Sequence, residues 1–328
     1  MRACVAGWGT AAPEHRLTNA DLEQRVDTTD EWIVERTGIR ERRIAAPSET
    51  TATLAVEAGT AAIKHAGITP DEIDLLIIAT ATPEQPIPHT AAFVGEALGL
   101  RCGSFDLAAG CAGFVYMLVT GSSLLATGDL RNVLVIGSET LSRIIDPEDR
   151  ATCILFGDGA AAAVLSPSED DGPGLLAWDL GCDGSAAGLL EIRAGGSRLP
   201  ASPETIANRD QYLKMAGQEV FRRAVRAVVD SAVTTLDRAG VASSEVAWFV
   251  PHQANVRIID SAANRLGIPR ERTIVNIERY GNTSAASIPL ALAEAAEDGR
   301  LEPDDLVLLS GFGAGMTWGS ALLRWGTP

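Results

Sequence analysis

The chain has 328 residues, 46% hydrophobic and 21% charged, a balance that fits a compact α/β protein and excludes a disordered one. A formal net charge of −16 argues against a broad nucleic-acid or anionic-membrane surface, and makes any local basic set informative. Five widely spaced cysteines without a CxxC pair, and four histidines without ligand spacing, indicate neither a disulfide framework nor a metal site.

In chain order, residues 1–10 read as a buried strand followed by a loop at Pro13. The N-terminus lacks the basic, apolar and small-residue regions of a secretory signal, and no apolar run is long enough to span a bilayer, so a cytoplasmic chain is expected. Thr18-Asn19-Ala20-Asp21 has capping character and starts a short helix. Thr28-Thr29-Asp30-Glu31-Trp32 starts another, with acids in its first turn. Trp32 and Arg36 share a face of that helix. They read either as a half-buried Trp beside a solvated Arg, or as a stacking ring and a cation poised for a nucleotide.

A helix is expected over 51–65, an unbroken apolar strand over 73–80, a rigid Pro83–Pro88 loop and a helix over 91–98. Ser104–Leu107 reads as the end of a strand. Phe114, Met117, Leu118, Gly121, Leu124 and Leu125 then recur at helical spacing until Gly128. Cys111 therefore stands where a strand turns into a buried helix. There the helix dipole and unpaired N–H groups favour a thiolate, and Gly110, Ala112 and Gly113 leave room for a substrate. The plainer role for such a cysteine is to fill space in a core. A strand over 133–137, an Ala-rich strand ending at Leu165 and a polar connector over 166–174 complete the first half.

The second half repeats the first. Ala66–Pro83 matches Ala239–Asn255, Leu98-Gly99-Leu100 matches Leu266-Gly267-Ile268, and Thr127–Glu139 matches Asp298–Gly313. An offset of about 170 residues is far beyond a solenoid repeat and indicates a duplicated domain, divided as 1–170 and 171–328. Equivalent strand-end loops of two such halves converge at their seam, a usual place for ligands. The loops in question carry Cys111 in the first half, and His252 and Asn282 in the second. A neutral imidazole and an amide can both donate to an oxygen that becomes anionic. Individually, His252 could be a helix-capping loop residue and Asn282 a turn residue.

The Cys111 stretch, "PHQAN" (Pro251–Asn255) and "GNTSAASIPLAL" (Gly281–Leu292) resemble the β-ketoacyl-acyl-carrier-protein synthase III family of the thiolase superfamily. "DEWIVERTGIRERR" (Asp30–Arg43), "FGDGAAAAVL" (Phe156–Leu165) and "GFGAGMTWGSALLRW" (Gly311–Trp325) extend the resemblance over essentially the whole chain. It implies a homodimer of thiolase-like five-layered αβαβα subunits. It implies a condensing enzyme that loads an acyl-CoA primer on Cys111 and then condenses it with malonyl-acyl-carrier-protein. CoA thioesters are substrates here, and no cofactor, metal, nucleic acid or membrane is implied.

By the same resemblance, His252 and Asn282 stabilise the malonyl-derived enolate, and the backbone N–H groups of Cys111 and Ala314 form the oxyanion hole. Thr28, Trp32, Arg36, Arg150, Phe221 and Asn255 contact CoA. Phe312 and Ile87 shape the acyl pocket, Ile87 that of the partner subunit. Many relatives carry Phe in place of Ile87, which leaves primer preference open. Lys214, Arg222, Arg223, Arg226, Arg257 and Arg265 form a local basic set that either docks an acidic carrier protein or is a solvated helix face. A degradative thiolase needs a late second cysteine, and none follows Cys182; no glutamate-base motif of hydroxymethylglutaryl-CoA synthase is found, and the motif set favours synthase III over a chalcone-synthase-like enzyme. A starter-unit acyltransferase of secondary metabolism and a catalytically silent dimer partner are the remaining alternatives.

Overall fold

A computed structural model of the chain describes residues 2–327. The strands that carry the fold are β1 (Arg2–Ala11), β2 (Leu75–Ala79), β3 (Gly103–Leu107), β4 (Val133–Thr140), β5 (Asp158–Ser168), β6 (Gly174–Cys182), β7 (Trp248–Pro251), β8 (Leu306–Gly313) and β9 (Thr317–Arg324). The principal helices are α1 (Asp30–Thr37), α2 (Thr51–His65), α3 (Thr90–Leu98), α4 (Gly113–Leu125), α5 (Gly217–Ala239), α6 (Val256–Leu266) and α7 (Ser287–Glu297).

The first sheet runs β1-β5-β4-β2-β3 and the second β7-β8-β9-β6. Read from β6, the second sheet repeats the first: two antiparallel pairings, then a parallel one. A parallel bridge from Phe249 to Thr273 stands where β2 meets β3. The duplication legible in the sequence is therefore a duplication of strand order and direction. Helices α3 and α6 end alike, with Gly99 and Gly267 in left-handed C-caps at φ 73° and 70°. All strands of the first sheet precede the 169–173 loop and all those of the second follow it.

Helices α2 and α3 cover one face of the first sheet, and α5 and α6 cover the outer face of the second. Helices α4 and α7 lie between the sheets and touch both, which gives the αβαβα order. Position explains composition. Helix α4 packs between the two sheets, so Phe114, Val115, Met117 and Leu118 are all buried, and its C-terminal end reaches solvent at Ser123 and Leu124. Helix α5, on the outside, buries Val220, Ala224, Val228 and Ala232 along one stripe and turns Arg222 and Arg226 to solvent.

Some boundaries differ from the sequence reading. Strand β2 starts at Leu75 because Ile73, although buried, closes a 3-10 turn over Pro70–Glu72. Strand β4 continues past Gly137 to Thr140, since pairing with β5 persists through Glu139↔Gly159 and Thr140↔Asp158. The connector shrinks to residues 169–173 because Ser168 still pairs with Arg2. The first strand is described from Arg2; Met1 lies outside the described residues. Among the described residues, no helix is long and apolar enough to cross a membrane.

Candidate active site

Strand β3 ends at Leu107, and residues 110–112 form a 3-10 turn that runs directly into α4. Cys111 sits in that turn and is 8% exposed. Across the seam, β8 ends at Gly313, and the two backbones touch. A Cβ on Gly313 would lie 2.3 Å from the Cys111 nitrogen, and one on Gly110 would lie 2.9 Å from the Ala314 nitrogen. Glycine is required at both positions by close approach. The backbones of Cys111 and Ala314 are thus brought close together across the seam. Thr317 Oγ1 lies 2.8 and 3.0 Å from the carbonyls of Ala109 and Ala314, so its one proton bridges the two segments.

His252 follows β7 directly, and its N–H donates to Ser310 of β8 at 2.8 Å. The ring is 6% exposed, and burial pushes its pKa down to about 3, so the imidazole is neutral. Nδ1 lies 2.6 Å from the Ser287 hydroxyl at the start of α7. A hydroxyl that donates to Nδ1 leaves the ring proton on Nε2. Asn282 is held from both sides: its N–H donates to Leu155 O at 2.8 Å and its carbonyl accepts from Gly157 N at 3.0 Å. Its side-chain Oδ1 accepts from Ser284 N at 2.8 Å, which leaves the amide N–H groups free to donate.

Cys111, His252, Asn282 and Phe312 line one cavity of about 90 Å³, walled by Leu155, Phe156, Leu190 and Met215 and reaching Phe221 and Asn255. The three groups singled out in the sequence therefore meet at the seam. One expectation needs correction. Burial raises the Cys111 thiol to about 12, so the helix N-terminus does not by itself yield a resting thiolate.

Outward from the cavity, Trp32 is flanked by two cations: the Arg36 and Arg150 guanidinium carbons lie 4.7 and 5.0 Å from its ring centroid. Arg150 also donates to Asp27 O at 2.7 Å. Thr28 Oγ1 is buried without a hydrogen-bond partner among the described residues. Asn255 caps α6 through Oδ1 and donates from Nδ2 to Arg36 O at 2.9 Å, so it locks the Trp32 helix onto the second half. Arg257 lies over the Phe221 ring at 5.6 Å.

Ile87 stands away from the chain's own cavity and is 85% exposed. The basic set is less basic than its sequence suggests. Arg222 pairs with Glu219, Arg223 with Glu219 and Asp183, Arg226 with Asp230, and Lys214 with Asp146. Only Arg257 and Arg265 have no acidic partner among the described residues. Sequence reasoning passed over Ser287 and Ser284. Ser284 opens the 3-10 turn before α7 and Ser287 is the first residue of α7; hydroxyls among Ala285, Ala286, Ile288 and Leu290 were the available signal.

Comparison with known proteins agrees with this geometry. Residues 105–184 match the 3-oxoacyl-[acyl-carrier-protein] synthase III family and residues 236–325 its C-terminal family. A β-ketoacyl-[acyl-carrier-protein] synthase III of Desulfitobacterium hafniense is 51% identical over 98% of this chain and 97% of its own. The solved structure of the Thermus thermophilus synthase III is 45% identical, with TM-score 0.93 over 99% of this chain and all of its own. A priming β-ketosynthase from the R1128 polyketide pathway is 38% identical, with TM-score 0.90 over 99% and 97% of the two chains. With thiol, imidazole and amide gathered at the seam of a duplicated thiolase fold, the chain belongs to the β-ketoacyl-acyl-carrier-protein synthase III family.

Proposed function

We propose that this protein primes fatty-acid synthesis by loading an acyl group from acyl-CoA on Cys111 and condensing it with malonyl-acyl-carrier-protein. The observation that carries this is the shared cavity of Cys111, His252 and Asn282, with the Ala314 nitrogen beside that of Cys111. In the first half-reaction the Cys111 sulfur bonds the acyl carbon, the bond to the CoA sulfur breaks, and CoA leaves as the thiol with the proton from Cys111. The Cys111 and Ala314 N–H groups receive the oxyanion.

In the second, malonyl-carrier-protein loses CO2. The enolate oxygen accepts from His252 Nε2–H and the Asn282 amide; its carbon bonds the acyl carbon as the bond to the Cys111 sulfur breaks, β-ketoacyl-carrier-protein leaves, and the Cys111 thiolate takes a proton from solvent. A neutral imidazole suits this task, because it donates without adding charge. Trp32, Arg36 and Arg150 would hold the nucleotide of CoA, and the unpartnered Thr28 hydroxyl suits a polar contact at its approach. Carrier-protein docking falls chiefly to Arg257 and Arg265, since the other cations are ion-paired. The exposed Ile87 is the side chain a partner subunit would receive in a homodimer.

Intact-protein mass spectrometry after incubation with a panel of acyl-CoAs, then malonyl-carrier-protein, tests the reading. An adduct on Cys111 that discharges as β-ketoacyl-carrier-protein is expected. An adduct that discharges only to another acceptor would instead indicate a starter-unit acyltransferase, and no adduct with any donor would refute the loading step.

A further inference from the structure

One buried cation has no part in the reaction above. Arg42, in the short strand Glu41–Arg43, has no solvent exposure. Its guanidinium donates to three neutral oxygens: Leu17 O at 3.1 Å, Asn19 Oδ1 at 2.9 Å and Ile154 O at 2.7 Å. Its Nε has no partner among the described residues. Burial draws the pKa down to about 10, so the group is still a cation at neutral pH. A cation bonded to neutral oxygens in a dry interior is costly, and an apolar side chain of similar length would fill the space without that cost. The reason for a guanidinium here lies in what its three bonds hold in place.

Two segments of the site run past it. Residues 154–157 and 280–282 lie side by side. Phe156 and Asn282 form a parallel bridge, Asn282 N donates to Leu155 O at 2.8 Å, and Gly157 N donates to Asn282 O at 3.0 Å. Arg42 bears on both segments: a Cβ on Gly157 would lie 3.1 Å from the Arg42 Cβ, and one on Gly281 would lie 3.2 Å from it. Just before, Arg40 N donates to Glu278 O at 3.1 Å. The Asn282 backbone therefore hangs on residues 155 and 157, and Arg42 fixes that rail at residue 154 through its shortest bond.

The other arm reaches helix α1. Asn19 is 1% exposed; it accepts from Arg42 through Oδ1, and its Nδ2 donates to Asp30 Oδ1 at 2.7 Å and to Ile39 O at 2.8 Å. Asp30 opens α1, and Ile39 follows the Gly38 C-cap. Asn19 thus clasps both ends of the helix that carries Trp32 and Arg36.

We propose that Arg42 is the positioning residue for the Asn282 amide, and that through Asn19 it holds the Trp32 helix in register with that amide. A hydrogen bond to developing charge weakens steeply with misalignment, so the placement of the donor matters. Asn282 Oδ1 is already tied to Ser284 N at 2.8 Å, so the side chain follows its own loop. A rail displaced at 154–157 carries the amide with it.

This inference rests on Asn282 being a donor to the enolate, and the experiment separates the two. CO2 release from malonyl-carrier-protein and acylation of Cys111 over a range of acyl-CoA concentrations are measured on the full-length protein. Arg42→Met should lower CO2 release about tenfold, the effect of one buried hydrogen bond, while acylation at saturating acyl-CoA stays within about twofold. Arg42→Lys keeps the charge and can reach one carbonyl, so it should lose only about two- to threefold. Asn19→Ala leaves the Ile154 bond intact; it should raise KM for acyl-CoA about threefold with CO2 release within twofold.

In an Asn282→Ala background the Arg42 variants should cause no further loss of the residual CO2 release, because their effect passes through that amide. A loss that persists in that background, or that strikes both half-reactions equally, is a purely structural effect and would overturn the proposal. So would a folded Arg42→Met protein with the parent's CO2 release. If Arg42→Met does not fold, Arg42→Lys decides alone, and the parent's rate in that variant overturns the proposal. An unchanged KM in Asn19→Ala would remove the link to Trp32. Unchanged CO2 release in Asn282→Ala itself would sink the enolate reading instead.

Discussion

Removing the Ser287 hydroxyl isolates the tautomer of His252 from its position. That hydroxyl stands 2.6 Å from Nδ1, and both residues are buried. Burial holds the imidazole pKa at about 3, so protonation cannot replace the lost partner at neutral pH. A buried hydrogen bond contributes about 0.5–1.5 kcal/mol, and an orphaned acceptor makes the upper end appropriate here. At about 1.4 kcal/mol the population of the Nε2–H tautomer falls roughly tenfold relative to its alternative. Ser287→Ala should therefore lower CO2 release from malonyl-carrier-protein about tenfold, while acylation of Cys111 stays within twofold. Ser287→Thr should recover most of the loss. The assay pairs CO2 release with intact-protein mass spectrometry. Loss of both half-reactions in equal measure would refute the reasoning, because a tautomer effect touches only the second.

Further perturbations address the rest of the site. The unfolded chain titrates His252 near 6.5 and the folded chain near 3, so the unfolded state takes up the proton and stability falls as pH drops through that window. His252→Asn should flatten the melting-temperature profile between pH 6.5 and 4, by about 3 kcal/mol at pH 4; parallel profiles would contradict the buried neutral ring. Trp32→Ala should raise KM for acyl-CoA about fivefold or more with kcat within twofold, measured by steady-state kinetics, as expected for loss of a half-buried stacking platform worth about 1 kcal/mol. Gly313→Ala places a Cβ 2.3 Å from the Cys111 nitrogen and must shift that backbone. Acylation should fall about 100-fold and the melting temperature should drop by several degrees; near-normal acylation would dismiss the Cys111–Ala314 oxyanion hole.

Much of this was legible because the duplication leaves marks of two kinds, apolar strands and glycine caps. The Gly99 and Gly267 caps and the matched β2 and β7 located the seam, and the seam located Cys111, His252 and Asn282. What stayed hidden depends on partners far apart in the chain. Arg223 looked like a free cation until Asp183, 40 residues away, was found against it at 2.9 Å. Arg42 gave no hint that its guanidinium would be wholly buried on carbonyls of Leu17 and Ile154 and on Asn19. The place of Cys111 at a helix start, which favours a thiolate, is a local feature. Its raised pKa comes from burial by the opposite half, which is not.

The contact between the Gly110–Cys111 turn and the end of β8 has a consequence for assembly. The oxyanion hole proposed for Cys111 and Ala314 is a joint between the two halves, and neither half contains it. A chain cleaved within 169–173 would yield fragments that are each inert, however well folded. Activity would return only as the pieces recombine, and its recovery would be second order in fragment concentration. The reaction would then report directly on how tightly the two copies of the duplicated domain grip one another.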